Sequence, residues 1–265
     1  MEKTRPIGVM DSGVGGLSVL RALQKAMPGE DFLYLGDTAR TPYGVRDRKT
    51  IARFVEEMTD WMEERQIRQL VVACNTITVL GEEVIRGNHS FPVIGMSRGV
   101  ESVLRVTKNK KIGVLATDFT AQSGVHKHDI RAKDPSVEVT AVGCTQFVPL
   151  IEAARFAAPE LEAAVREYTD RLKEKDVDTV ILGCTHYPFI RTRVERAFGP
   201  RVTVIDPAEE TALRAKRELQ AAGLLREQGQ GHCVIGFTGD VEMGRRLAQR
   251  MLDGADACEF TQVRL

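Results

Sequence analysis

The sequence predicts an α/β protein built from two similar lobes, each a mostly parallel sheet flanked by helices. Three observations carry this expectation. Short apolar runs ending in glycine or small polar residues alternate with amphipathic stretches, the pattern of buried parallel strands joined through helices. The pattern restarts near residue 111. Two of the runs also end alike, Val71-Val72-Ala73-Cys74-Asn75-Thr76 and Ile181-Leu182-Gly183-Cys184-Thr185-His186, each handing a thiol and a threonine to the following loop.

In chain order, residues 6–10 form a first apolar run, followed by Asp11-Ser12-Gly13-Val14-Gly15-Gly16 and a helical pattern over 17–27. Residues 32–35 form a second strand ending at Gly36-Asp37. An amphipathic helix over about 47–65 carries Ile51, Phe54, Val55, Met58, Trp61 and Met62 on one face. Strands over 70–73 and 93–96 flank a helix containing Val79, Leu80, Val84 and Ile85. The charged stretch 63–68 reads as a solvated helical face.

From residue 111 the order repeats. Lys111-Ile112-Gly113-Val114-Leu115 echoes Ile7-Gly8-Val9-Met10, and 137–142 echoes the second strand. A helix with Leu161, Val165, Tyr168 and Leu172 precedes the strand 179–183. Cys74 lies 20 residues before Ile94 and Cys184 lies 20 before Val204; Gly8 to Cys74 spans 66 residues and Gly113 to Cys184 spans 71, a difference one loop absorbs. The tail reads as a helix over 209–225, a strand over 233–237, a turn at Thr238-Gly239-Asp240 and a helix through Leu252. Gly229 and Gly231 suggest a hairpin or a mobile loop before that strand. One strand is too little for a third domain, so the expected lobes are 1–97 plus 208–265, and 98–207.

Composition narrows the function classes. A hydrophobic fraction of 43% with 28% charged residues suits a globular protein with a real core. Zero formal net charge offers no basic footprint for nucleic acid or an anionic membrane. No apolar run approaches the roughly 18 residues of a membrane span, and the first residues hold no apolar signal region. Five cysteines without a CxxC pair or a zinc-type grouping fit free thiols in a reducing cytoplasm.

The repeated cysteines carry the chemistry. A single Cys at a strand end is usually a small buried hydrophobe, but recurrence at the same place in both lobes, with polar residues following, points to function. A strand-to-helix junction aims N–H groups and a helix dipole at such a thiol and lowers its pKa from about 8.5. Two thiols on facing lobes suit a two-base inversion at one carbon. Asp11 and Ser12, at the end of the first strand, are either helix N-cap residues or partners of a thiol and a substrate ammonium. His186 is the matching helper of Cys184, since histidine titrates near neutrality. Asn75, Thr76 and Thr185 offer neutral hydrogen bonds for a carboxylate, and Thr41-Pro42-Tyr43-Gly44 is a turn on the same rim. Glu152 is left open. Cys144, Cys233, Cys258, His89, His126, His128 and His232 are expected to be structural.

Gly13, Gly15 and Gly16 after a first strand, with Asp37 ending the second, raise dinucleotide binding as an alternative. Ser18 stands where the third glycine of that fingerprint belongs, and the second lobe lacks the glycines altogether. The glycines are better read as allowing close approach of backbone to a small ligand or to the opposite lobe.

Taken together, Ile-Gly-Val-Met-Asp-Ser-Gly-Val-Gly-Gly-Leu, Gly-Asp-Thr-Ala-Arg-Thr-Pro-Tyr-Gly, Ala-Cys-Asn-Thr, Phe-Val-Pro-Leu-Ile-Glu, Gly-Cys-Thr-His-Tyr-Pro and Thr-Gly-Asp resemble the glutamate racemases of the cofactor-independent aspartate/glutamate racemase superfamily. The resemblance spans essentially the whole chain. It implies two pseudo-symmetric lobes with the active site between them, and interconversion of L- and D-glutamate for peptidoglycan, without cofactor or metal. It gives Cys74 the α-proton of the D-enantiomer and Cys184 that of the L-enantiomer, with Asp11 and His186 assisting. Asp11, Ser12, Tyr43, Gly44, Asn75, Thr76, Thr185 and His186 align with the family's substrate contacts. The chain departs from the family at Asp118 and Phe119, where Ala-Thr-x-Gly-Thr is usual, at His126, often a tyrosine, and at Thr145, where a proline often follows the cysteine. The expected partner is the small-molecule substrate, with no nucleic acid and no membrane; family members are often homodimers, which leaves that state open. Aspartate racemase or a related superfamily isomerase is the alternative activity, and a non-catalytic amino-acid binding protein or a Cys-nucleophile hydrolase are alternatives of another class.

Overall fold

In a computed structural model that describes residues 2–80, 85, 89 and 91–265, the chain divides into two compact units, Met1–Met96 with Ala208–Leu265, and Ser97–Pro207. Every strand pairing in both is parallel.

The first unit holds a six-stranded sheet: β1 (Ile7–Asp11), β2 (Phe32–Gly36), β3 (Gln69–Val72), β4 (Val93–Gly95), β9 (Cys233–Phe237) and β10 (Glu259–Gln262), in the order β10-β9-β2-β1-β3-β4. β1, β2, β3 and β4 are buried along their whole length, as continuous apolar runs in a doubly covered parallel sheet must be. The helix Arg48–Glu64 lays Ile51, Phe54, Val55, Met58, Trp61 and Met62 into the core, and the Asp47 side chain caps it by accepting from Thr50 N at 2.9 Å. The helix Ala208–Ala221 brings the returning chain back along Leu17–Ala26. Of the helix expected before β4, Asn75–Leu80 is formed and Ile85 is helical and buried; Val84 lies outside the described residues.

The second unit has four strands, β5 (Lys111–Ala116), β6 (Glu138–Gly143), β7 (Thr179–Gly183) and β8 (Thr203–Ile205), in the order β6-β5-β7-β8. This repeats β2-β1-β3-β4 strand for strand. The register repeats as well: Gly8 pairs with Leu70 and Gly113 with Val180. A methyl group on Gly8 would sit 2.7 Å from Ile67 Cδ1, and one on Gly113 2.8 Å from Leu172 Cδ1. Each central strand thus gives up a side chain at the same place to admit an aliphatic one. Leu161, Val165, Tyr168 and Leu172 of the helix Pro159–Lys173 are all buried, as their spacing predicts.

Four expectations are corrected. The final strand β10 has no strong apolar signal, because as an edge strand it is mostly exposed. The segment around Gly229 and Gly231 is no hairpin, since β9 runs parallel to β2 and Gly231 packs against the main chain of Glu30. Of the glycines after β1, Gly16 makes room inside its own unit, since a methyl group on it would meet Asp11 Cβ at 2.6 Å; Gly36, at the end of β2, likewise admits Gly13 O, which a methyl group there would meet at 2.3 Å. The stretch 63–68 is not a solvated helical face to its end. The helix stops at Glu64, and Arg68 leads into β3 completely buried, its guanidinium paired with the equally buried Glu30 and bonded to Lys3 O. A strand entering the core at this point cannot point Arg68 outward, and Glu30 supplies the missing charge. Glu30 Oε1 also accepts from Arg226 N at 2.7 Å, so one carboxylate ties the start of β3 to the returning tail.

Among the described residues no helix is long and apolar enough to cross a membrane. Arg68→Ala leaves Glu30 as an uncompensated buried charge and is expected to cost about 3–5 kcal/mol in urea unfolding. The double replacement Glu30→Leu with Arg68→Met recovers most of that loss. A loss under about 1 kcal/mol for Arg68→Ala, the worth of a surface pair, would contradict the buried ion pair.

Candidate active site

Parallel strands end on one rim, where side chains beyond the last ladder bond are freed from the sheet but still held by it. In the first unit that rim carries Asp11, Ser12 and Cys74. Ala73 N bonds to Met10 O at 2.8 Å, which brings the next residues of the two central strands together. Cys74 Sγ lies 3.5 Å from Ser12 Oγ, and the thiol is only 4% exposed. The helix Asn75–Leu80 starts immediately after it, with Cys74 O accepting from Thr78 N at 3.0 Å and from Thr78 Oγ1 at 2.8 Å. Asp11 is fully buried and does not cap a helix: the first helix has Gly16 at its N-cap, and Asp11 Oδ2 instead accepts from Gly13 N at 3.0 Å. Tyr34 Oη bonds to Gly13 O at 2.7 Å from the other side. The glycine turn is therefore held rigidly around the Asp11 carboxylate.

Asn75 is 2% exposed, yet neither its amide oxygen nor its amide nitrogen has a partner among the described residues. A buried amide left without bonds costs free energy. Its presence beside Cys74 fits a bound polar molecule that supplies both a donor and an acceptor. Thr76, next in line, is also buried.

Asp37, just past the end of β2 with its N–H bonded to Asp11 O at 3.0 Å, and Tyr43 form a network on this rim. Asp37 is fully buried and takes hydrogen bonds from the Tyr43 hydroxyl, from Arg40 Nε at 2.5 Å and from Thr238 Oγ1 at 2.7 Å. Burial, then the charge and hydrogen bond of Asp37, push the Tyr43 phenol above its ordinary pKa. Asp37 is thus engaged inside the unit. The Tyr43 hydroxyl is engaged too, in the short helical turn Tyr43–Val45 that also holds Gly44.

In the second unit Cys184 directly follows β7 at the corresponding register position, 5% exposed. Its surroundings differ from those of Cys74. No α-helix follows directly: Tyr187–Ile190 form a short 3-10 turn, and the next α-helix is Arg191–Phe198. The local partner is His186, whose Nδ1 stands 3.7 Å from Cys184 Sγ. Its Nε2 meets Glu152 Oε1 at 2.6 Å. Burial works against the charged imidazole, but the hydrogen bonds from Cys184 and Glu152, with their charges, outweigh it and raise His186 well above its ordinary pKa. Glu152, unassigned from sequence, is therefore the orienting carboxylate of a Glu152–His186–Cys184 chain; its place after Phe147-Val148-Pro149-Leu150-Ile151 on the helix Phe147–Glu152 gave no hint of its partner. Thr185, between the two in sequence, is also buried.

The departures in this unit are absorbed locally. Thr117 caps the helix Asp118–Ser123 by accepting from Thr120 N at 3.4 Å, and Asp118 fills the space beside Gly143. His126 is buried and neutral, held down to about 3 by burial and by the charge of Arg98. Thr145 Oγ1 lies 3.4 Å from Tyr168 Oη. Among the described residues one three-residue group, Asp60, Glu63 and His89, brings potential metal-ligand atoms together, and it contains none of the residues above.

Residues 7–215 match the Asp/Glu/Hydantoin racemase family. A glutamate racemase of Trichormus variabilis is 41% identical over 220 residues, 83% of this chain and 75% of the relative. Among solved structures, a glutamate racemase isoform of Bacillus anthracis superposes with a TM-score of 0.92 at 33% identity, covering 100% of this chain and 99% of the other. The glutamate racemase of Francisella tularensis, solved in complex with D-glutamate, superposes with a TM-score of 0.85 at 29% identity, covering 99% and 98%.

Because Glu152 raises His186, Glu152→Gln is expected to make that imidazole titrate at lower pH, followed by NMR of the histidine ring nitrogens. The sign for stability follows: charged His186 stabilises the fold fully below the free imidazole range, and this is lost as pH rises through its raised value. An unchanged His186 titration in the variant would contradict the pairing.

Proposed function

This chain belongs to the Asp/Glu/hydantoin racemase family, and from that premise we propose that it interconverts L- and D-glutamate, with Cys74 and Cys184 as its two acid–base groups. The observation that carries the assignment is the recurrence of a buried thiol at one register position in two separately built sheets, each thiol with its own polar partner. A nucleophile in a hydrolase needs one such thiol; inversion at carbon needs two. The names of the relatives favour glutamate over aspartate.

In the L-to-D direction, Cys184 as thiolate takes the α-proton and Cys74 as thiol delivers its own proton to the opposite face. The reverse reaction exchanges their roles. His186, held by Glu152, is the local proton partner of Cys184, while Ser12 and the adjacent Asp11 carboxylate serve Cys74. The unpartnered Asn75 amide, with Thr76 and Thr185, is assigned to the substrate's carboxylate and ammonium groups; Asp11 and the main chain of Tyr43 and Gly44 are assigned to further substrate contacts. An α-carbanion is costly in water, and preorganised donors in a dry site lower that cost without reorganising. The chemistry is assigned to protein side chains alone. The D-glutamate formed would supply peptidoglycan synthesis in the cytoplasm.

Incubation with L- or D-glutamate in deuterated water is expected to place deuterium at the α-carbon of the product. Cys74→Ser and Cys184→Ser are each expected to lower racemisation by roughly a thousandfold or more while leaving the far-ultraviolet circular dichroism unchanged. Turnover near that of the parent chain in either variant would defeat the two-thiol assignment.

A further inference from the structure

Two cysteines stand apart from both thiols of the proposed reaction. β10 runs parallel to β9 with Glu259 opposite Val234, so the residues one step earlier, Cys258 and Cys233, enter the sheet side by side. Adjacent strands lie about 4.8 Å apart, inside the roughly 4.4–6.8 Å Cα separation a disulfide bridges. Side chains at paired positions leave a parallel ladder on the same face, so the register sets the two thiols side by side. Cys233 is buried, whereas Cys258 is partly exposed at the sheet edge.

We propose that Cys258 and Cys233 form a dithiol that a hydroperoxide converts to an intramolecular disulfide, with Cys258 attacking and Cys233 resolving. The electrostatics agree with that division of roles. The neighbouring Cys233 thiol lowers the Cys258 thiol to about 7 against the opposing effect of burial, helped by Gln24 and His232. The neighbouring Cys258 and burial push Cys233 upward, keeping it protonated as its partner ionises.

In the first step the Cys258 thiolate attacks one peroxide oxygen. The S–O bond forms, the O–O bond breaks, and the departing oxygen takes a proton, leaving a sulfenic acid. Cys233 sulfur then attacks the Cys258 sulfur. The S–S bond forms, the S–O bond breaks, and hydroxide leaves with the Cys233 proton as water. The two thiols lose two electrons to the peroxide, which ends as water and an alcohol, or as two waters from hydrogen peroxide. The product fastens the terminal strand covalently to its neighbour.

Treatment of the full chain with equimolar hydrogen peroxide, followed by peptide mapping without reduction, is expected to yield a pair joined through Cys233 and Cys258, lacking two hydrogens and separated by dithiothreitol. Cys258→Ser abolishes that pair, and Cys233→Ser leaves a Cys258 sulfenic acid that dimedone traps. The parent chain carries the primary readout should a variant fail to fold. Cys258 stopping as a sulfenic or sulfinic acid in the parent chain, a link to a different cysteine, or both thiols staying reduced while Cys74 and Cys184 oxidise would each overturn the proposal.

Discussion

In a parallel sheet every strand must end on the same rim, and this constraint underlies the whole chemistry of the chain. The residues just past the last ladder bond are held by backbone pairing on one side and released to a loop on the other. Ala73 N bonded to Met10 O fixes where Cys74 leaves its sheet, and the pairing of Ala116 with Gly183 fixes where Cys184 leaves the other. Everything polar that surrounds the two thiols is arranged relative to those exits. The glycines on the central strands serve the same end, since without the space at Gly8 and Gly113 the covering side chains could not close over strands of this register.

Much of this was legible because it is written in periodicity. Continuous apolar runs marked the buried strands, the spacing of Leu161, Val165, Tyr168 and Leu172 marked a helix face, and equal intervals after Cys74 and Cys184 marked the repeat. What escaped shares a physical cause. Arg68 and Glu30 are charged residues that neutralise each other only in three dimensions, and a sequence window holding one has no sight of the other. β10 lies on an edge and needs no apolar code. Glu152 and His186 are 34 positions apart and meet only because the helix Phe147–Glu152 ends beside the loop after β7. Cys233 and Cys258 escaped for the same reason, as their adjacency depends on β10.

The two thiols are equivalent in register but not in environment, and that difference is informative. Cys74 sits at the start of an α-helix, beside a hydroxyl and near a carboxylate bonded within its own glycine turn. Cys184 lacks an immediate α-helix and has an imidazole instead, whose pKa is raised by the thiol itself and by a carboxylate at its far nitrogen. Backbone amides and a helix end are fixed dipoles that cannot change protonation, whereas an imidazole can. A duplicated scaffold therefore presents two different solutions to one electrostatic problem. Under the proposed mechanism the two bases hold opposite protonation states in each turnover, and each is tuned by its own neighbours.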